Sequence, residues 1–208
     1  MTERISAGRF HEADGVDDWR CLYHLVSARF RTSSLAAGAA FADEVARLAG
    51  SAEEHLRLDL RPTGVTVSLL VRDVALARRI SAVAARLGLP AEPAEVQLLN
   101  VAIDALVIAD VLPFWEAVLG YRRIGDDYLA DPAGRAPGFS FQRMDAPRPQ
   151  RNRVHLDLAV PHDRAADRIA AALAAGGRLV TDEHAPKWWV LADPEGNEAC
   201  VATWIGRE

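Results

Sequence analysis

Leu129-Ala-Asp-Pro-Ala-Gly134 and Leu191-Ala-Asp-Pro-Glu-Gly196 are one phrase written twice in the same chain. What surrounds them repeats as well. Ahead of the first copy, the pattern predicts a strand over Leu98 to Ile103 and a helix from about Val111 to Leu119. Pro113 falls in the first turn of that helix and Gly120 closes it. Strands follow at Arg122 to Gly125, Asp127 to Ala130 and Phe139 to Met144. The second copy predicts a strand over Val154 to Val160, then a helix capped by Asp163 and ended near Ala175 by Gly176-Gly177. Strands at Arg178 to Thr181, Trp188 to Ala192 and Glu198 to Thr203 complete it. From about Val96 to Trp204 the chain thus reads as two tandem strand–helix–strand–strand–strand units, an internal duplication. Each unit alone is a curved sheet covered by a helix on one side only. Two such units side by side form a cup, and a cup between repeats is a natural ligand site.

Upstream, Gly88-Leu-Pro90-Ala-Glu-Pro93-Ala reads as an extended linker, and a domain boundary is expected there. Before it, Ser34 to Ala49 is helical, with Leu35, Phe41, Val45 and Leu48 as its apolar stripe and Gly50 as its stop. Leu58 to Leu60 and Val65 to Leu70 read as strands around the turn Pro62-Thr-Gly64, and Ala28 to Arg31 as an earlier strand. Asp73 to Leu87 is a second amphipathic helix, with Val74, Ile80, Val83 and Leu87 inward and Arg78, Arg79 and Arg86 outward. The fold class is α+β: helices on an antiparallel sheet, followed by paired βαβββ units forming a cup.

Bulk properties narrow the functions. The chain has 208 residues, 50% of them apolar and 25% charged, so it can build real cores. A net charge of −5 with interspersed signs, and no basic block interleaved with aromatics, argues against a nucleic-acid partner. Cys21 and Cys200 lack metal-type spacing and read as reduced thiols. The charged start Met1 to Ile5 is not followed by an apolar h-region, and no run is long enough to span a bilayer. A soluble, cytoplasmic protein with no membrane partner is expected.

The stretches Asn100-Val-Ala-Ile-Asp104, Phe114-Trp-Glu-Ala-Val-Leu-Gly-Tyr121, Val154-His-Leu-Asp157 and Asp193-Pro-Glu-Gly-Asn-Glu198 resemble the vicinal oxygen chelate superfamily. That group includes glyoxalase I, extradiol dioxygenases and bleomycin-resistance proteins. The resemblance places a glyoxalase-like domain at residues 95–205 and implies a small-molecule ligand. It also implies ligands on the first and last strand of each unit, here Asn100, Gln142, His155 and Glu198. His155 and Glu198 are the two side chains suited to a divalent metal, the one cofactor implied. The plainer reading makes His155 a pocket-lining histidine bonded to Glu198, still able to move a proton. Trp188 and Trp189 face opposite sides of a strand, so one lines the cup or packs under the helix and the other meets a neighbour or solvent; a core role is favoured over ligand stacking for either, and Trp188 is the candidate for the ligand pocket. Phe139 and Phe141 point away from Gln142, into the core. The loop Asp145 to Arg153 is read as solvated.

Residues 1–90 are similar to pterin-4a-carbinolamine dehydratase, through Trp19, Arg29-Phe-Arg31, Ala39-Ala-Phe41, Val45-Ala46, Asp59-Leu-Arg61, Val65-Thr-Val67 and above all Asp73-Val-Ala-Leu-Ala-Arg-Arg-Ile80. That resemblance implies a lyase acting on 4a-hydroxytetrahydropterin through histidines. Its His-His-Pro stretch corresponds to Glu54-His55-Leu56 here, so His55 and Glu54 are the candidate catalytic pair. The third histidine has no counterpart. Three functions follow: a glyoxalase-like small-molecule binding or modifying protein, a working dehydratase, or a non-catalytic module for assembly or regulation. A homo-oligomer is expected in each case.

Overall fold

The computed structural model describes residues 5–147 and 155–205. The expected strand start at Val154 and the end of the solvated loop, residues 148–153, lie outside the described residues. The chain forms two compact units that divide between Leu98 and Leu99.

The first unit runs α1 (Ala7–His11), β1 (Arg20–Leu22), β2 (Leu25–Arg31), α2 (Leu35–Ala49), a 3-10 turn (Gly50–His55), β3 (Leu56–Arg61), β4 (Gly64–Leu69) and α3 (Val74–Arg86). Its four-stranded sheet has the order β1-β2-β4-β3, antiparallel throughout. The Ser34 hydroxyl accepts from Ala37 N at 3.1 Å and the Asp73 carboxylate from Leu76 N at 2.9 Å, so each long helix begins at a side-chain cap. Val26, Ala28 and Phe30 alternate along β2 with Val65, Val67 and Leu69 on β4, and all are buried against Phe41, Val45, Ala77 and Ile80. Phe30 meets the edge of Phe41 at 5.2 Å, and Trp19 donates its indole N–H to Ser81 Oγ at 3.1 Å. Gly38 lets α2 approach the sheet closely, because a Cβ there would stand 2.5 Å from Leu60 Cδ1.

Two inward assignments differ from the sequence pattern. Leu35 is 52% exposed, since it is the first residue of α2 and precedes the point where the helix meets the sheet. Leu87 lies beyond the end of α3 and is also exposed; Leu76, Ala77 and Ala84 fill the face instead. The proline-rich stretch is no free linker. Pro90 O accepts from Arg31 N at 2.9 Å, and Glu92 N donates to Arg29 O at 2.8 Å, so the chain runs antiparallel beside β2. The Glu92 carboxylate meets Arg29 at 3.1 Å and Arg31 at 3.6 Å. This stretch therefore belongs to the first unit.

The second unit contains β5 (Asn100–Ala105), α4 (Ile108–Leu119), β6 (Arg122–Ile124), β7 (Tyr128–Ala130) and β8 (Gly138–Arg143), then β9 (Leu156–Ala159), α5 (Ala165–Ala174), β10 (Arg178–Thr181), β11 (Trp188–Ala192) and β12 (Glu198–Ala202). The sheets have the orders β5-β8-β7-β6 and β9-β12-β11-β10. In both, the first strand runs parallel to the last and the remaining pairs are antiparallel. The duplication is real at the level of topology. Phe114, Trp115, Val118, Leu129, Phe139 and Phe141 from one copy share a single core with Ala172, Leu191, Ala199 and Val201 from the other.

The repeated phrases fold into turns organised by their aspartates. Asp131 accepts from the backbone N–H groups of Ala133, Arg135 and Ala136 at 2.9, 2.9 and 3.0 Å. Asp193 accepts from Glu195 N at 3.0 Å, and from Asn197 N and Asn197 Nδ2 at 2.8 Å each. Two helix starts differ from expectation. Helix α4 begins at Ile108, so Pro113 sits in its second turn. The Glu195 carboxylate accepts from Leu106 N and Val107 N, each at 2.8 Å, and this remote anion caps the start. Asp163 lies within the 3-10 turn His162–Arg164 and does not cap α5, whose N-cap is Arg164 with no side-chain bond. Among the described residues, no helix is long and apolar enough to cross a membrane.

Candidate functional site

Strand alternation divides each sheet of the second unit into a core face and a face turned away from it. In the second copy, Leu156, Leu158, Ala199, Val201, Leu191 and Trp189 belong to the core. The register pairs Asp157 with Cys200, Cys200 with Val190, and Ala202 with Trp188. One further step in the same parallel register sets His155 beside Glu198. His155, Asp157, Glu198, Cys200 and Trp188 thus share the outer face.

On that face, His155 Nδ1 lies 3.0 Å from Asp157 Oδ1 and 3.9 Å from Cys200 Sγ. The three donor atoms all fall within 4.8 Å of one another. Glu198 stands outside this group, so the contacts of His155 run along the strand and diagonally rather than to the neighbouring carboxylate. Trp188 packs on His184 with ring centroids 4.4 Å apart, and Lys187 Nζ lies 5.4 Å from the indole.

The first copy presents a different surface. Asn100 pairs with Gly138, Ala102 with Ser140, and Asp104 with Gln142. Gly138 therefore stands where Glu198 stands in the second copy, and a Cβ there would overlap the Tyr128 hydroxyl. Asn100 donates to Ser140 Oγ at 3.0 Å and to Val101 O at 3.3 Å. Gln142 is exposed at the far end of β8, about 13 Å of strand from the Asn100 pair at ~3.3 Å per residue. Asn100 and Gln142 are not brought to one point, because four residues of strand separate their register pairs. Phe139 and Phe141, each 3% exposed, face the core.

In the first unit, His55 ends the 3-10 turn ahead of β3. Its Nε2 lies 3.5 Å from Glu54 Oε1, with the two side chains 46% and 74% exposed. The pair sits at the sheet end where Leu70 N donates to His55 O at 2.8 Å.

Asp157 and Cys200 escaped sequence reasoning although a signal existed. Each stands two positions along a strand from a proposed ligand, and so on the same face.

Two parallel-edged βαβββ units sharing one core define a glyoxalase-like architecture. Residues 100–202 match the Glyoxalase-like domain family, so the second unit is a glyoxalase-like, vicinal oxygen chelate domain. Among solved structures, the chain is similar to a glyoxalase/bleomycin resistance protein/dioxygenase family enzyme from Burkholderia phytofirmans PsJN, at 19% identity and TM-score 0.38, over 50% of this chain and 95% of that one. It is similar to the fosfomycin resistance protein FosX from Mesorhizobium loti, at 8% identity and TM-score 0.43, over 50% and 89%. The FosX protein from Listeria monocytogenes, complexed with Mn(II) and sulfate ion, gives 10% identity and TM-score 0.42 over 51% and 88%. No curated protein matches the chain.

Proposed function

We propose that the glyoxalase-like unit binds or modifies a small molecule on the outer face of β9 and β12, through a divalent cation held by His155, Asp157 and Cys200. The grouping of those three donors within 4.8 Å carries this reading. Imidazole nitrogen, carboxylate oxygen and thiolate sulfur together suit a zinc-like ion, which takes four ligands and leaves one position for a ligand atom. The contacts of 3.0 and 3.9 Å bracket the donor spacing of a tetrahedral ion with bonds of about 2.0–2.3 Å. When bound, such an ion polarises an oxygen of the ligand. Trp188, on the same face, supplies an apolar wall, and Glu198 beside His155 accepts or returns a proton.

Cobalt titration of the apo protein tests the reading. A saturable thiolate-to-metal charge-transfer band, absent in Cys200→Ser, is expected. No band and no bound metal after dialysis against zinc would sink it.

A second reading rests on the His55–Glu54 contact at 3.5 Å. In it, the first unit dehydrates a 4a-hydroxytetrahydropterin, with His55 moving the proton and Glu54 orienting its ring. A stopped-flow assay showing only the uncatalysed rate rejects it. If activity is present, His55→Ala removes most of it.

A further inference from the structure

Each duplicated sheet of the second unit ends in a strand with an open edge, β6 in the first copy and β10 in the second. The two edges carry a related charge order. Arg122-Arg-Ile-Gly-Asp-Asp127 and Arg178-Leu-Val-Thr-Asp-Glu183 are each basic at the start, apolar in the middle and acidic at the end. They differ in what is already neutralised. Arg123 donates its Nε and Nη2 to Glu116 on α4 at 3.1 and 2.8 Å, so the first edge is tied to its own helix. Arg178, Asp182 and Glu183 are all exposed, and none has an opposite charge within ion-pair distance among the described residues.

Apolar surface lies open between those charges. Leu179 pairs in register with the fully buried Leu191, yet it is 43% exposed because the sheet stops at β10. Val180 sits at the bulge in the β10–β11 register and is exposed as well. Gly177 N donates to Ala172 O at 3.1 Å, so β10 leaves α5 through a tight turn that brings exposed Leu173 to the same margin. Thr181 Oγ1 accepts from Glu183 N at 3.2 Å, and Asp182 O from Ala185 N at 2.9 Å, which holds the acidic pair in a turn at the strand's end. An open strand edge offers backbone N–H and C=O groups for pairing, and an apolar patch rimmed by charge marks a contact surface.

We propose that β10 and the end of α5 bind the same surface of a second copy of this chain, in an antiparallel contact about a two-fold axis at Val180. The charge order selects that occupant. Running the strand against itself sets Arg178 of each copy opposite Asp182 of the other, with Glu183 next in line. A slip of one residue sets Arg178 opposite Glu183, so the match survives the bulge. A parallel contact fails, because it sets Arg178 against Arg178 and acid against acid. Val180 meets its own counterpart, and Leu173 and Leu179 lose water on the helix side. Four strand residues and one helix end make a small interface, so the dimer is weak, with a dissociation constant on the order of micromolar or above. β9, which carries Asp157, is the opposite edge of this sheet, and the contact is independent of the cation reading.

Sedimentation equilibrium of the full chain tests the contact. A concentration-dependent monomer–dimer equilibrium that weakens as salt rises is expected. Arg178→Glu should raise the dissociation constant about tenfold or more, and so should Asp182→Arg combined with Glu183→Arg, since each sets like charges opposite. An equimolar mixture of those two variants should regain the dimer, because both cross pairs are then opposite in sign. Variants that had merely lost their fold could not do so. A parent chain that stays monomeric up to millimolar concentration overturns the proposal, as does growth beyond a dimer. A dimer undisturbed by Arg178→Glu, or a mixture that associates no better than its separate variants, overturns it equally.

Discussion

The indole Nε1 of Trp115 donates to Asp193 Oδ2 at 2.9 Å. Trp115 belongs to the helix of the first copy and Asp193 to the turn of the second. Both are buried, at 1% and 0% exposure. The carboxylate that organises one repeat's turn therefore also fastens the other repeat's helix. Glu195, two residues on, does the same with its carboxylate at the start of that helix. The duplicated turns have diverged in use: Asp131 ties only its own loop, and Asp193 joins the halves.

That divergence gives a prediction in which one substitution type has two outcomes. Asp193→Ala leaves buried donors from Trp115, Glu195 and Asn197 unmet and should cost ~3 kcal/mol or more. Asp131→Ala exposes its donors to water and should cost about 1 kcal/mol. Urea denaturation of both variants measures the difference, and equal losses would contradict the linking role of Asp193. Partial burial pushes the Asp131 carboxyl up, but three backbone N–H groups and Arg135 more than offset that and hold it below the ordinary range. Its contribution is therefore present above the unfolded pKa of about 3.9 and fades as pH falls through the lower folded value.

Helix α4 should be sensitive at a residue far away in sequence. Glu195→Ala removes the acceptor for Leu106 N and Val107 N and should cost about 1–2 kcal/mol. Glu195→Gln keeps one oxygen and should lose roughly half of that. Amide exchange should quicken at the first turn of α4 in both. Protection there equal to the parent's would mean that the helix start does not depend on this anion.

Most of the fold was legible because periodicity and punctuation are local. Ser34, Asp73, Gly120 and Gly176 mark helix ends in the sequence and do so in the structure. The true start of α4 was not legible. Pro113 is a strong first-turn signal, and the competing cap, Glu195, comes from another repeat. The site was half legible for the same reason. The strand bearing His155 was found from its pattern, whereas the partners of His155 depend on register. A four-residue offset between the Asn100 and Gln142 pairs is invisible without the sheet.

Acid should weaken the first unit through His24. Burial first, and then Arg57 and Arg72, lower its pKa from 6.5. The folded state thus resists a proton that the unfolded chain accepts. Stability attributable to this residue is complete above the unfolded pKa of about 6.5 and declines as pH falls from there toward the folded value. His24→Gln should flatten that part of the stability–pH curve. An NMR titration placing the His24 midpoint above 6.5 would reverse the sign and refute the account.

The cation proposal separates two ligand sets that share His155. If Asp157 and Cys200 complete the site, Cys200→Ser and Asp157→Asn should each weaken zinc affinity by tenfold or more, about 1.4 kcal/mol. Glu198→Gln should then change it by less than about threefold, since its carboxylate lies outside the donor group. If Glu198 is a ligand instead, the order inverts: Glu198→Gln weakens binding strongly, and Cys200→Ser leaves it nearly intact while the cobalt band lacks its thiolate component. Competition titrations with a chromophoric chelator give all three affinities. Equal insensitivity to the three changes, with His155→Ala also neutral, would place any bound cation elsewhere and remove the outer face of β9 and β12 as the metal site.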